Sequence, residues 1–289
     1  MEFSPSRLEV LQIYLRRTFY WRRNSSPYIS GDAFADFVDF VYKPPKFRTF
    51  KRQRHCVMDA KSVYVVGTEF DNFQKEYSKK ISPKVIVIGN SDFELTSIDL
   101  SLFGDELNIF AQNSFISNNL NIFTIPIGLE NIRLGMNGLP KYMGFAEWEN
   151  REKRIMFGPF GKTHPMRREV IEAFQAKKGP WDVYDGYIRP EKLSETSSKY
   201  QYIAVLRGNG VDTHRFWETL YRGGIPIVTQ DSWSKSLTHL GLPFLTTPDW
   251  RPSTIKELIR NHQAEPFDPG AIPALWMPYW IHKIENFLK

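Results

Sequence analysis

The stretch IAVLRGNGVDTHRFWETLYRGGIPIVTQD, residues 203–231, decides the fold. It joins an apolar run, a Gly-Asn-Gly turn, a short polar-faced helix and a second apolar run. A strand that ends in Arg207 and a glycine-rich turn, followed by a helix and another strand, is the layout a nucleotide phosphate site uses. Asp212 or Thr213 is expected to cap the helix, and Gly223-Gly224 with Pro226 to end it. Phe216, Trp217, Leu220 and Tyr221 share one apolar face and read as core. His214, Arg215, Glu218 and Arg222 then fall on the opposite or flanking side.

Working outward, short β-branched runs recur between helical stretches: VYVVG (63–67), KVIVIGN (84–90), NIFTIPIG (121–128), RIMFGPFG (154–161), YIAVLRG (202–208) and IPIVTQ (225–230). They are too short for helices and too continuous for half-exposed strands, so they predict buried parallel strands. Helices are expected over 70–79, 164–177, 213–222 and 253–262. This alternation specifies an α/β fold with helices on both sheet faces. The polar stretch 137–154 reads as a linker, which divides the chain into residues 1–150 and 151–289. The aromatic segment 273–288 predicts a terminal helix that either crosses back to the first domain or caps the second.

Composition narrows the partners. Thirty-eight Lys and Arg against 32 Asp and Glu leave a net charge of +6, suited to a phosphorylated ligand, a lipid headgroup surface or nucleic acid. A single cysteine, Cys56, excludes an intramolecular disulfide and a Cys-rich zinc module, and fits a reducing, cytoplasmic compartment. The N-terminus lacks the uninterrupted apolar core of a signal peptide, and no run is long enough to span a membrane. Arg16, Arg17, Arg22 and Arg23, interleaved with Phe19, Tyr20 and Trp21, suggest either peripheral contact with an anionic membrane or an amphipathic helix covering the first domain. The basic run KPPKFRTFKRQRH (43–55) invites a single-strand nucleic-acid reading, but an exposed loop explains it with fewer assumptions.

Ligands of open α/β sheets bind beyond the carboxyl ends of the strands. Arg207 stands at such an end, and its guanidinium fork matches phosphate oxygens. Gly208 and Gly210 let the backbone approach closely, with Asn209 between them. The competing reading is an arginine paired with a neighbouring carboxylate beside an ordinary turn. A second loop, FGPFGKTHPMRREV (157–170), brings Lys162, Thr163, His164 and Arg167 to the start of another helix, with Thr163 as the expected cap.

The order Arg-Gly-Asn-Gly, Asp-Thr-His-Arg-Phe-Trp-Glu, Gly-Gly-Ile-Pro-Ile-Val resembles the donor-site region of exostosin-like glycosyltransferases over about 30 residues. That resemblance implies the GT-B architecture, two Rossmann-like domains facing a cleft, with a nucleotide-diphosphate sugar held mainly by the C-terminal one and a glycan or lipid-linked acceptor on the other. It also implies that Arg207 contacts the donor diphosphate, that Glu218 holds ribose or sugar hydroxyls, and that His214 and Arg215 line the same pocket. Thr219 stands where the family usually has Ala. Metal-independent transfer is implied as well, with no cofactor beyond the donor substrate. A fucosyltransferase-like enzyme shares the same arrangement, and a non-catalytic nucleotide- or sugar-binding module is the rival from another class.

An inverting transfer needs a base for the acceptor hydroxyl proton. Asp32, Asp92 and Glu130 each follow a glycine-containing turn in the first domain and are the candidates, with turn formation as the competing role of each.

Overall fold

The computed structural model describes residues 23–43, 56–104, 106–116 and 119–289, with the single residues 12, 15 and 19. Most of the Arg-rich N-terminal segment and of the basic run 43–55 lies outside the described residues. The first half runs from α1 (Gly31–Ala35) through β1 (Phe40–Tyr42), β2 (Ser62–Val66), α2 (Phe70–Tyr77), β3 (Val85–Gly89) and β4 (Asn108–Ala111) to β5 (Ile122–Thr124). The second opens with β6 (Glu152–Phe157), α3 (Pro165–Gln175), β7 (Trp181–Val183), α4 (Pro190–Ser197) and β8 (Tyr200–Ala204). It continues with α5 (His214–Tyr221), β9 (Ile225–Thr229), α6 (Ser232–Ser236), β10 (Leu245–Thr247), α7 (Pro252–Asn261) and α8 (Met277–Glu285). The chain is therefore mixed α/β with two wholly parallel five-stranded sheets.

All six expected strands are present, although 121–128 shortens to β5. Four further strands, β1, β4, β7 and β10, are only three or four residues long, too short to carry a readable period. Side chains alternate between two cores as the pleat requires. Val85 and Val87 of β3 face one cluster and Ile86 and Ile88 the other; in β8, Ile203 is opposed in the same way by Tyr202 and Ala204.

The first sheet carries helices on both faces, as expected, but those on one face do not come from its own crossovers. Its strands follow in sequential order, β1-β2-β3-β4-β5, so a right-handed crossover such as that through α2 passes over one face. That face is covered by α2, through Phe70 and Phe73, and by loop residues such as Leu95 and Phe103. The other face needs cover from outside the sheet. It receives α1, through Phe34, and the C-terminal α8, through Met277, Trp280 and Ile284, all in one cluster with Val85, Val87 and Phe110. Phe287 closes the contact, its ring centroid 5.1 Å from Phe123 and 5.9 Å from Phe110. The same cluster continues without a break into Met156, Ile203, Phe216 and Trp217 of the second half.

The second sheet has the order β10-β9-β8-β6-β7. The chain begins at β6, steps outward to β7 and then returns across β6 to β8, so the winding direction reverses between β6 and β8. The loops that follow those two strands diverge at their carboxyl ends, which is where ligands of doubly wound sheets bind.

Candidate functional site

The two loops at the reversal are those singled out in the sequence. The loop after β6 contains Gly158, Lys162, Thr163 and His164, and the loop after β8 contains Arg207, Gly208, Asn209 and Thr213. Arg167 ties them together. Its Nε donates to the Arg207 carbonyl at 2.8 Å and one terminal nitrogen to the Leu206 carbonyl at 3.0 Å. The other terminal nitrogen reaches the Gly161 carbonyl at 3.2 Å and Thr163 Oγ1 at 2.8 Å. Arg167 thus fixes the loop backbone with its donors. Gly208 and Gly210 serve the same close packing: a Cβ would meet Arg167 at 3.1 Å and Thr163 at 3.2 Å at the first, and Asn113 Oδ1 at 2.8 Å at the second. Lys162 is exposed beside them.

The caps differ from the sequence reading. His164, not Thr163, caps α3, its Nδ1 accepting from the Met166 N–H at 3.3 Å. Thr163 is one residue too early and accepts from Arg167 instead. At α5, Thr213 occupies the cap position but its hydroxyl makes no cap bond, and its Oγ1 is buried without a hydrogen-bond partner among the described residues. Asp212 is turned elsewhere. One oxygen accepts from Trp217 Nε1 at 2.8 Å, and the other from the Ile127 N–H of the first half, also at 2.8 Å. Burial pushes its carboxyl up to about 7, with those donors and the Thr213 N–H pulling in the opposite direction.

Strand ends of the first sheet face this surface. The loop after β3 supplies Glu94, which accepts from Arg207 at 2.5 Å, and Asp92, which is exposed and accepts from Asn209 Nδ2 at 3.1 Å. Arg207 therefore has the carboxylate partner that its competing sequence reading required, while its Nε is buried without a hydrogen-bond partner among the described residues. The loop after β4 supplies Asn113, whose Oδ1 accepts from the Asp212 N–H at 2.9 Å and whose amide donates to the Ser91 carbonyl at 3.1 Å. The loop after β5 supplies the Gly128 carbonyl, 2.8 Å from His214 Nδ1.

On α5, Glu218 is buried with its Oε2 at 3.6 Å from both Arg215 Nε and Arg222 Nη1. Arg215 also donates to the Gly158 carbonyl at 3.2 Å, so the helix is anchored to the loop after β6. Burial weighs against the charge of both guanidiniums, and Glu218 offsets it. Glu130 is close enough to feel both His214 and Glu218. Its carboxyl is raised by burial, with His214 opposing and Glu218 reinforcing, and it accepts from the Asn137 N–H at 3.1 Å.

Asp32 stands apart from this group. It is fully buried, with Oδ2 accepting from Arg133 Nε at 2.8 Å and Oδ1 from Asn90 Nδ2 at 3.3 Å. Asn131 joins the same network, donating to Asn90 Oδ1 at 2.7 Å and accepting from the Asp32 N–H at 2.8 Å. Sequence reasoning missed Glu94, Asn113 and the bridging role of Asp212. Glu94, two residues beyond Asp92, had the right spacing to be found, whereas an Asp before a helix reads first as a cap. A depression of about 390 Å³ lies at the opposite, amino-terminal edge of the second sheet, lined by Lys177, Lys178, Trp181 and the paired Arg154 and Asp182, away from all of these residues.

Among the described residues no group of three His, Cys, Asp or Glu is arranged to hold a metal ion, and no helix is long and apolar enough to cross a membrane. No protein-family model and no curated protein matches the chain. Among solved structures it is similar to AviGT4, a glycosyltransferase involved in avilamycin A biosynthesis, with a TM-score of 0.39 and 10% identity over 78% of this chain and 83% of that one.

Proposed function

We propose that this chain is a GT-B-like glycosyltransferase that moves a sugar from a nucleotide-diphosphate sugar to a hydroxyl of a glycan or lipid-linked acceptor. One observation carries the reading: at the reversal point of the second sheet, two loops and the first turn of α5 gather Arg207 and Arg215 opposite the strand ends of the first sheet. A leaving diphosphate needs cationic groups and N–H donors at such a place. The exostosin-like motif at 203–231 supports the same assignment and suggests polysaccharide assembly as the setting.

In this reading Arg207 exchanges Glu94 for the diphosphate. The two partners are each about one-third exposed, so the exchange needs no buried charge to be uncovered. Asn209 and the exposed Lys162 are the flanking donor contacts, and Gly208, Thr163, His164 and Arg167 shape the loops around them. Glu218 holds Arg215 and Arg222 in place, which is compatible with one further hydrogen bond to a ribose or sugar hydroxyl. Asp92 and Glu130 line the acceptor side. Asp32, sealed against Arg133 and Asn90, organises that side from beneath. The arginines supply the countercharge, so we expect donor binding to need no divalent metal.

Calorimetric titration of UDP, GDP, CDP and ADP, with and without Mg²⁺, tests the proposal. One nucleotide is expected to bind without metal and to bind at least tenfold more weakly to Arg207→Ala. If none binds, or if the substitution has no effect, the donor-site assignment is wrong. Binding without turnover of the matching nucleotide sugars would instead select the non-catalytic binding module.

A further inference from the structure

The sequence placed the base among the carboxylates of the first half, but the geometry points to the other side of the interface. We infer that His214, the first residue of α5, is the general base that takes the proton from the acceptor hydroxyl. This rests on the glycosyltransferase reading and goes beyond it by assigning the proton-transfer step.

His214 Nδ1 lies 2.8 Å from the Gly128 carbonyl oxygen, and a carbonyl only accepts, so Nδ1 must carry the hydrogen. In a neutral imidazole the lone pair is then on Nε2. That nitrogen makes no hydrogen bond to any described residue, and the side chain is only partly buried. A ring nitrogen with its tautomer fixed by one hydrogen bond and its lone pair left open is what a general base requires.

The Gly128 carbonyl is itself rigidly placed. Gly128 adopts a φ of +66°, and the Leu129 N–H donates to the Ile29 carbonyl at 2.8 Å. The orienting group therefore comes from the first half and the base from the second, so the catalytic nitrogen is aligned only when the two halves are in contact.

The buried carboxylates Asp32 and Glu218 are worse suited to the step. Asp32 is sealed and paired with Arg133, and Glu218 lies between two guanidiniums. Glu130 is near enough for its charge to act on His214. It is therefore placed to steady the imidazolium that forms.

The acceptor oxygen forms a bond to the anomeric carbon as the bond from that carbon to the diphosphate oxygen breaks. The electron pair of the broken bond leaves on the diphosphate, beside Arg207 and Arg215, and the acceptor proton passes to Nε2. Direct displacement of this kind inverts the anomeric centre.

The test uses His214→Asn and His214→Gln in the full chain. The Asn amide keeps a donor near Nδ1 but has no basic nitrogen, and the Gln amide reaches toward Nε2 without basicity. The probes are UDP-glucose, UDP-N-acetylglucosamine, UDP-galactose, UDP-glucuronate, GDP-mannose and GDP-fucose, followed by their slow hydrolysis, in which water is the acceptor. Both variants are expected to lose at least 100-fold in turnover, while the affinity for the corresponding nucleoside diphosphate stays within about threefold and thermal stability is retained. Turnover within a few-fold of wild type in His214→Asn would overturn the assignment. So would a loss of nucleotide affinity that accounts for the whole loss of rate, since His214 would then be a donor contact. A wild-type protein that binds a nucleotide but hydrolyses none of the sugars removes the base while leaving the donor site; one that binds no nucleotide removes the underlying reading.

Discussion

Replacing Glu218 by Gln removes one charge at nearly constant volume, from a position where two arginines depend on it. Its side chain is 4% exposed and that of Arg222 3%, with Arg215 at 18%. At 3.6 Å and an effective dielectric of about 20, each contact amounts to about 4–5 kcal/mol of gross attraction. Desolvation offsets most of that. Breaking one partner of a buried pair nonetheless costs about 3–5 kcal/mol, because the remaining charge is left uncompensated. The contacts are longer than direct hydrogen bonds, and Arg222 keeps its bond to the Tyr142 carbonyl at 2.9 Å, so the lower end, about 3 kcal/mol, is expected. In urea unfolding this corresponds to a midpoint lower by about 1 M at a slope of about 3 kcal/mol/M. The control is Glu172→Gln, whose partner Arg168 is 87% exposed on the surface of α3, and which should leave the midpoint unchanged. A Glu218→Gln protein as stable as wild type would mean that the two arginines do not depend on this carboxylate. If it also failed to bind nucleotide, the carboxylate would be a ligand contact and not a structural counterion.

Two further outcomes follow from the interface. Asp212 has its carboxyl raised to about 7 by burial, so as pH rises from 4 to 7 the unfolded chain gives up this proton first and the native state loses stability. The stability difference between wild type and Asp212→Asn, measured by chemical denaturation, should therefore shift in favour of Asn by a few kcal/mol between pH 4.5 and 8; a pH-independent difference would contradict the assignment. Gly128→Ala is expected to cost more than about 2 kcal/mol, since a Cβ there would lie 2.2 Å from the Ile29 carbonyl oxygen at a positive φ. Gly144→Ala, with nothing within 4 Å, should be neutral or slightly stabilising in the same thermal unfolding assay.

The parallel α/β class was legible in the sequence, because short, continuous apolar strands and helices with one apolar face leave no other way to hide both. The sequence also showed Gly, Arg and capping residues concentrated in the two loops after β6 and β8 and in the first turns of α3 and α5, which the structure ties together through Arg167 and Arg215. Strands of three residues, such as β1 and β7, carry no period and became visible only through their neighbours. The partners of the site residues were equally hidden. Glu94 lies 113 positions from Arg207 and the Gly128 carbonyl 86 from His214, and sequence spacing says nothing about contacts at such separations. Tertiary structure alone decided that Arg167 is consumed by loop carbonyls, that Asp32 is sealed against Arg133, and that Asp212 bridges the halves. Those outcomes depend on which strand ends face one another, and that is set by strand order and by the apolar face α8 is needed to cover, not by any local preference of the residues involved.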